Sequence, residues 1–300
     1  MKPGGAQPTS KSRSGLRRLI PKRRPAGGRT RGSDMDDAAK NAGSDQNLSH
    51  QIRQALIAGK EELFQIMQEQ SAEVLLAALR NPAIDEHHLL ALFNRHGLPV
   101  EVFSAIHRGK RLLEAYPVKI ALVCHPETPA HIALALLPQL YLFDLLKIST
   151  IPGIGQDQRL AAERAIIQRL SAQPLGNKLT LARRGTAAVV EALLREGLPP
   201  VVEACLDNPR LKEGSLYQFI NSATSTAETI SMVARNGRWK GRPNIRLAIL
   251  KNPRTPAIWF TLFLPGLAGP VLRDILATPR LTTAQKELVR QALAGKGGTR

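Results

Sequence analysis

The sequence is poor in aromatic residues, in cysteine and in acid. Phe, Trp and Tyr make up 4% of its 300 residues, against a hydrophobic share of 43%. A core of that composition has to be built from Leu, Ala, Ile and Val, which suits closely packed helices better than sheets. The two cysteines, Cys124 and Cys205, stand 81 positions apart in apolar runs. Two isolated thiols argue against a disulfide framework or a Cys-based metal site, and both are expected to be small buried hydrophobes. No run approaches the roughly 18 uninterrupted apolar residues of a membrane helix. The most apolar stretch, 132–146, is broken by Pro138, Gln139 and Asp144. The N-terminus is basic but lacks the apolar region of a secretory signal, so a cytoplasmic location without membrane contact is expected.

The shortage of acid is the counterpart of a surplus of base: 24 Asp and Glu against 42 Lys and Arg, for a net charge of +18. Residues 1–33 hold ten Lys or Arg and no acid. Residues 1–45, rich in Gly, Ser and Pro, bury too little apolar surface to offset their ordering entropy and are expected to form a disordered basic tail. Within it Arg17, Arg18, Lys22, Arg23 and Arg24 would form an electrostatic arm for nucleic acid or another anionic surface, or serve only to keep the chain soluble.

What the chain does have is an internal repeat. Pro82 and Pro126 lie 44 positions apart, as do Pro209 and Pro253. Each proline follows Asn or His (Asn81, His125, Asn208, Asn252), and five positions before it stands an alanine: Ala77, Ala121, Ala204 and Ala248. Proline disfavours helical geometry in the residue before it, so a helix should stop at each step. Thr128 and Thr255 precede Pro129 and Pro256, as N-caps before a proline in the first helical turn would. Apolar clusters ten and eleven positions after each proline mark the next helix. The expected fold is all-α: a right-handed α-solenoid of about 44-residue helix-pair repeats behind the tail. Its units would be 55–98, 99–142, an irregular 143–181, 182–225, 226–269 and a partial cap 270–294, with 295–300 frayed.

The stretches Ala121–Leu137 and Ala248–Leu264 resemble the leucine-rich repeat variant unit, in which His-Pro or Asn-Pro turns separate short helices, and more loosely the chain resembles HEAT-type arrays. That resemblance spans about 55–290 and implies architecture and a binding surface. The cysteine cluster with which one member of the variant family holds iron and sulfur has no counterpart here.

The residues show little chemistry. Pro152-Gly153-Ile154-Gly155 lacks the third glycine of a dinucleotide loop, and Gly237–Gly241 lacks the Gly-Lys-Ser/Thr end of a phosphate loop. The pairs His87 with His88 and His125 with His131 lack metal-ligand spacing. No catalytic, cofactor-binding or metal-binding residue is expected. The local anomaly is positive charge: no acid lies between Glu228 and Asp274, while Arg235, Arg238, Trp239, Lys240, Arg242, Arg246, Lys251 and Arg254 fall together. With its tryptophan, this patch is a candidate phosphate or nucleic-acid contact; Arg183-Arg184 is a weaker basic pair one repeat earlier. The sequence therefore points to a non-enzymatic protein-interaction scaffold, with another protein or peptide as partner, or alternatively to an RNA- or DNA-binding protein. It leaves the oligomeric state open. Replacing Ala204 or Ala248 by Leu is expected to overpack a helix crossing and lower stability by about 1–3 kcal/mol. Thermal denaturation measures this, and an unchanged midpoint would refute the crossing.

Overall fold

The computed structural model describes residues 32–297, with side chains from 45 to 295. The chain divides into two units, Met1–His50 and Gln51–Arg300. Residues 1–31, including Arg17, Arg18, Lys22, Arg23 and Arg24, lie outside the described residues. Helix α1 (Gly32–Ile57) begins inside the segment expected to be tail.

The second unit is helical throughout. Its first half holds α2 (Lys60–Ile66), α3 (Ala72–Arg80), α4 (Glu86–Leu92), α5 (Val100–Arg108), α6 (Tyr116–Cys124), α7 (Ala130–Leu136), α8 (Leu142–Thr150) and α9 (Gln156–Arg169). Then come α10 (Leu175–Arg184), α11 (Ala187–Glu196), α12 (Pro199–Leu206), α13 (Glu213–Ile220) and α14 (Ala227–Arg235). The last are α15 (Pro243–Leu250), α16 (Ala257–Phe263), α17 (Gly269–Leu276) and α18 (Thr283–Gly297). No strand occurs among the described residues.

The helices pack on the helix two along the chain. The odd-numbered series runs unbroken from α3 to α15, whereas the even-numbered one falls into α2–α4–α6, α10–α12–α14 and α16–α18. The interior is aliphatic, with Leu75, Leu122, Val201 and Ile249 fully buried. Of the four recurrent alanines, Ala77, Ala204 and Ala248 are buried, and Ala121 is partly exposed.

This packing corrects the repeat length. The 44 residues from Pro82 to Pro126 contain three helices, α4 to α6, and those from Pro209 to Pro253 contain α13 to α15. A helix pair takes about 28 residues, as from Ala72 at the start of α3 to Val100 at the start of α5. The Asn-Pro or His-Pro step recurs every third helix or a multiple of it. It closes α3 and α15 of the odd series and α6 and α12 of the even one.

The turns themselves explain the recurrence. Most helices here are 7 to 10 residues long, so nearly every backbone group lies within four residues of a helix end and needs a partner from elsewhere. Asn208 supplies two: its Nδ2 donates to the carbonyls of Ala182 at 2.7 Å and Gly185 at 3.2 Å, and its Oδ1 accepts from the Arg210 N–H at 2.7 Å. Asn81 does the same toward Ala55, Ala58 and Ala83. Asn252 donates to the Ile220 carbonyl and accepts from the Arg254 N–H. His125 replaces Asn with the same two functions. Its Nδ1 accepts from the Glu127 N–H at 3.2 Å, which leaves the proton on Nε2 to donate to the Arg95 carbonyl at 2.9 Å.

Arginines extend the ladder. Arg111 reaches the Asn81 carbonyl and Arg238 the Asn208 carbonyl, each across 30 residues. Arg95 donates to the Met67 and Glu69 carbonyls, and Gln285 to that of Thr255, again across 30 residues. Thr128 and Thr255 were expected to cap the helices that follow. Instead their buried hydroxyls donate backwards, to Leu122 at 2.6 Å and Ile249 at 2.5 Å. The proline after each fixes an extended conformation at the cap position, and the threonine is left one residue too early to reach the next helix. The substitution Asn208→Ala strips two buried carbonyls of a donor and should cost about 2–4 kcal/mol, one to two units of the penalty for an unmade buried hydrogen bond. Denaturant unfolding of the full chain checks it, and a loss below 1 kcal/mol would count against the ladder.

Candidate functional site

The ladder has a gap. The residue that closes α8 is Ile151, with φ −69° and ψ 128°, close to the −63° and 131° of Asn81 and the −70° and 129° of His125. The backbone at Ile151 is the same, but its side chain has nothing to donate to the turn before it, at the end of α6. The residue closing α10 is Gly185, where an added Cβ would lie 2.5 Å from the Leu181 carbonyl oxygen. No side chain is tolerated there without backbone movement, so no donor can reach back from that position. Among the described residues no hydrogen bond or ion pair joins α8 to α10. Helix α8 packs on the 14-residue α9, and α10 on α11 and α12.

A groove of about 740 Å³ lies where that rung is missing, lined by Phe143, Leu146, Lys147, Thr150, Thr180, Arg183, Arg184 and Arg210. The α8 wall presents Phe143, Leu146, Lys147 and Thr150, spaced i, i+3, i+4 and i+7, so one helix face contributes all four. Thr180, Arg183 and Arg184 are likewise i, i+3 and i+4 on α10. Phe143 is 45% exposed. Lys147, Arg183, Arg184 and Arg210 are exposed, and among the described residues none of them has a carboxylate within ion-pair distance. Arg210 spends one nitrogen on the Arg184 carbonyl, at 3.0 Å. Both threonine hydroxyls donate within their own helices, Thr180 to Gly176 and Thr150 to Lys147, which leaves their oxygens free only to accept. The groove is thus cationic on one side and apolar on the other.

Behind α8, the Tyr116 hydroxyl donates to Asp144 at 2.6 Å and accepts from the Tyr141 N–H at 2.8 Å. Burial, together with the Asp144 carboxylate, pushes that phenol up to about 12. These contacts hold the start of α8 against α6.

The basic patch expected at 235–254 is brought together only in part: Lys251 and Arg254, with Arg280, line a pocket of about 230 Å³. Trp239 is only 2% exposed, and its indole N–H donates to the Leu206 carbonyl at 3.0 Å. Arg238 lies over that indole, 4.5 Å from the ring, and donates to the carbonyls of Asn208, Pro209 and Leu211. Arg254 donates to the carbonyls of Ser222, Ala223 and Ser225. These carbonyl sets lie at opposite ends of α13, roughly 12 Å apart for eight residues at 1.5 Å each. Lys251 pairs with Asp274 at 2.7 Å, and Arg242 approaches Glu213 at 3.9 Å. Arg235 stands over the Trp259 ring and Arg246 over Phe263. Lys240 is exposed. Arg183-Arg184, noted in the sequence as the weaker pair, lines the groove of about 740 Å³.

His88 is buried, with Nε2 on the Lys60 carbonyl at 2.8 Å and Nδ1 on Asp85 at 2.6 Å. Burial raises the Asp85 carboxyl, but hydrogen bonds from Lys60 and His88 outweigh it and carry the group down to about 2. Among the described residues no three His, Cys, Asp or Glu are placed to share a metal ion, and no helix is long and apolar enough to cross a membrane. No protein-family model matches the chain, and neither a curated protein nor a solved structure matches it.

Two expectations follow. Trp239→Phe removes the donor to a buried carbonyl and should lower stability by about 1–3 kcal/mol, read by thermal denaturation, whereas a ligand contact would leave the melting point unchanged. Burial pushes the Cys205 thiol up to about 12 and raises that of the half-buried Cys124. An alkylating reagent at neutral pH should therefore leave Cys205 unmodified in the native protein and label it after denaturation, as mass spectrometry of the peptides would report.

Proposed function

We propose that the protein is a cytoplasmic, non-enzymatic interaction scaffold, a right-handed α-solenoid of the HEAT and leucine-rich-repeat-variant kind that receives another protein or peptide. The observation that carries this reading is the groove between α8 and α10. It joins four cations without carboxylate partners to an exposed aromatic ring, at a place where no hydrogen bond ties α8 to α10 among the described residues. Supporting it is the stacking itself: helices joined two along the chain build an extended surface, and such arrays bind by that surface.

Nucleic-acid binding is the second reading, favoured by the net charge of +18 and the ten cations of residues 1–33. Affinity capture from native lysate, with and without nuclease, separates the two. The scaffold reading expects protein partners that survive nuclease and moderate salt. Loss of every partner on nuclease treatment would refute it, and nucleic-acid binding would instead weaken steeply as salt rises.

A further inference from the structure

The groove has a chemistry narrow enough to name its occupant. On α8 the stripe of Phe143, Leu146, Lys147 and Thr150 is the kind of face a helix turns toward a neighbour. Here neither α6 nor α10 is among the helices that pack closely on α8. Opposite stand Arg183, Arg184 and Arg210, and the lining contains no acid. Four like charges around one cavity repel one another, and an anionic guest relieves that repulsion. The apolar half of the groove asks for side chains that a bare phosphate chain does not carry.

The surroundings favour a protein segment over a nucleic acid. Phe143 is the only aromatic residue in the lining, so there is no series of rings on which successive bases could stack. The basic track also stops at the groove's edge. On the next turns Asp207 accepts from Asn236, and Glu213 accepts from Asn244 beside Arg242, while Arg238 is committed to backbone carbonyls. A phosphate backbone continuing along the array would meet two carboxylates and a spent arginine.

We infer that the groove between α8 and α10 is the docking site for an acidic, amphipathic protein segment. Its carboxylates face Lys147, Arg183, Arg184 and Arg210, and its apolar side chains pack on Phe143 and Leu146. This rests on the scaffold reading and adds to it the partner's chemistry and the place where it binds. The mode is a peptide laid into a groove between helices, read by charge on one side and by apolar anchors on the other.

The test uses the full chain and three fluorescent probes: a Glu- and Leu-rich amphipathic peptide, its Lys-for-Glu counterpart, and a single-stranded oligonucleotide. Lys147 and Arg183 make no side-chain hydrogen bond or ion pair among the described residues, so the double change Lys147→Glu with Arg183→Glu alters charge without breaking a rung. Arg108→Glu with Lys110→Glu, on the separate basic groove between α3 and α5, is the control for net charge. Circular dichroism first confirms that both variants fold. By anisotropy, wild type should bind the acidic peptide and not the basic one. The α8–α10 reversal should weaken binding about tenfold or more, the control about twofold or less, and Phe143→Ala about threefold or more. Equal losses in the two reversals would overturn the site, since only overall charge would then be at work. An oligonucleotide bound more tightly than the acidic peptide, and lost in the α8–α10 reversal, would assign the groove to nucleic acid. An acidic peptide bound undiminished by that reversal would overturn the groove and leave the scaffold reading standing. No peptide binding, together with no nuclease-resistant partner from lysate, would remove both.

Discussion

The fold depends on side chains that stand at a turn and serve two turns at once. Helices of 7 to 10 residues expose almost as many unpaired backbone groups as they satisfy. In an array of such helices most of the polar backbone lies in or next to turns, and those turns are packed against one another. Water cannot reach the carbonyls of Ala182 or Ile220, so a donor from the neighbouring turn has to. Asn meets the requirement with one short side chain. Its oxygen holds the N–H two residues on, which shapes its own turn, while its nitrogen reaches the turn before. Proline follows because that position is where the helix must stop and where no N–H is wanted. His125 fits the same place since imidazole also has one acceptor and one donor at a fixed separation.

This accounts for what could be read from residues alone. The Asn-Pro steps are visible as a repeat, and helices do end at Arg80, Cys124, Leu206 and Leu250 or within a residue of the step. The period was misread because the visible phrase marks only some rungs. At other turns the donor is Arg111, Arg95 or Gln285, which share no sequence pattern with Asn-Pro, so the third helix between successive marks leaves no sign in the pattern. The basic patch was misread for a related reason. An arginine that reaches inward to carbonyls and one that reaches outward to phosphate look alike in a sequence, since five N–H donors serve either purpose. A usable signal was present nonetheless. Arginine stands two residues after the turn Asn three times, as Asn208 with Arg210, Asn236 with Arg238 and Asn252 with Arg254. A charge that keeps register with a structural residue is more economically explained by the turn than by a ligand.

The α8–α10 groove was legible only as irregularity. The irregular unit 143–181 has Ile151-Pro152-Gly153 where an Asn-Pro phrase would stand, and the donor missing between α10 and α8 is the one that Gly185, at the end of α10, cannot supply. What the sequence could not show is that Arg183 and Arg184, 33 or more positions beyond Thr150, face the same space. That proximity follows from the 28-residue helix pair, which brings α8 and α10 to successive places in the even series. With the pair set at 44 residues they would have fallen in unrelated positions.

The gap also separates two uses of arginine that occur side by side. At an intact rung the guanidinium is held by two or three carbonyls, as Arg238 is, and its charge is partly balanced by their dipoles and by the Trp239 ring it lies over. Arg183 and Arg184 stand at a turn that sends no side-chain clamp back to α8, because Gly185 occupies the position from which one would be built. Their charges are therefore not consumed by the fold. Continuity and recognition compete for the same residue type in this array. A ladder complete at every turn would have been more uniform, and it would have tied the α10 turn to that of α8. The break supplies both an unfilled space between helices and the cations to attract what fills it, and the long α9 keeps the odd series continuous behind it.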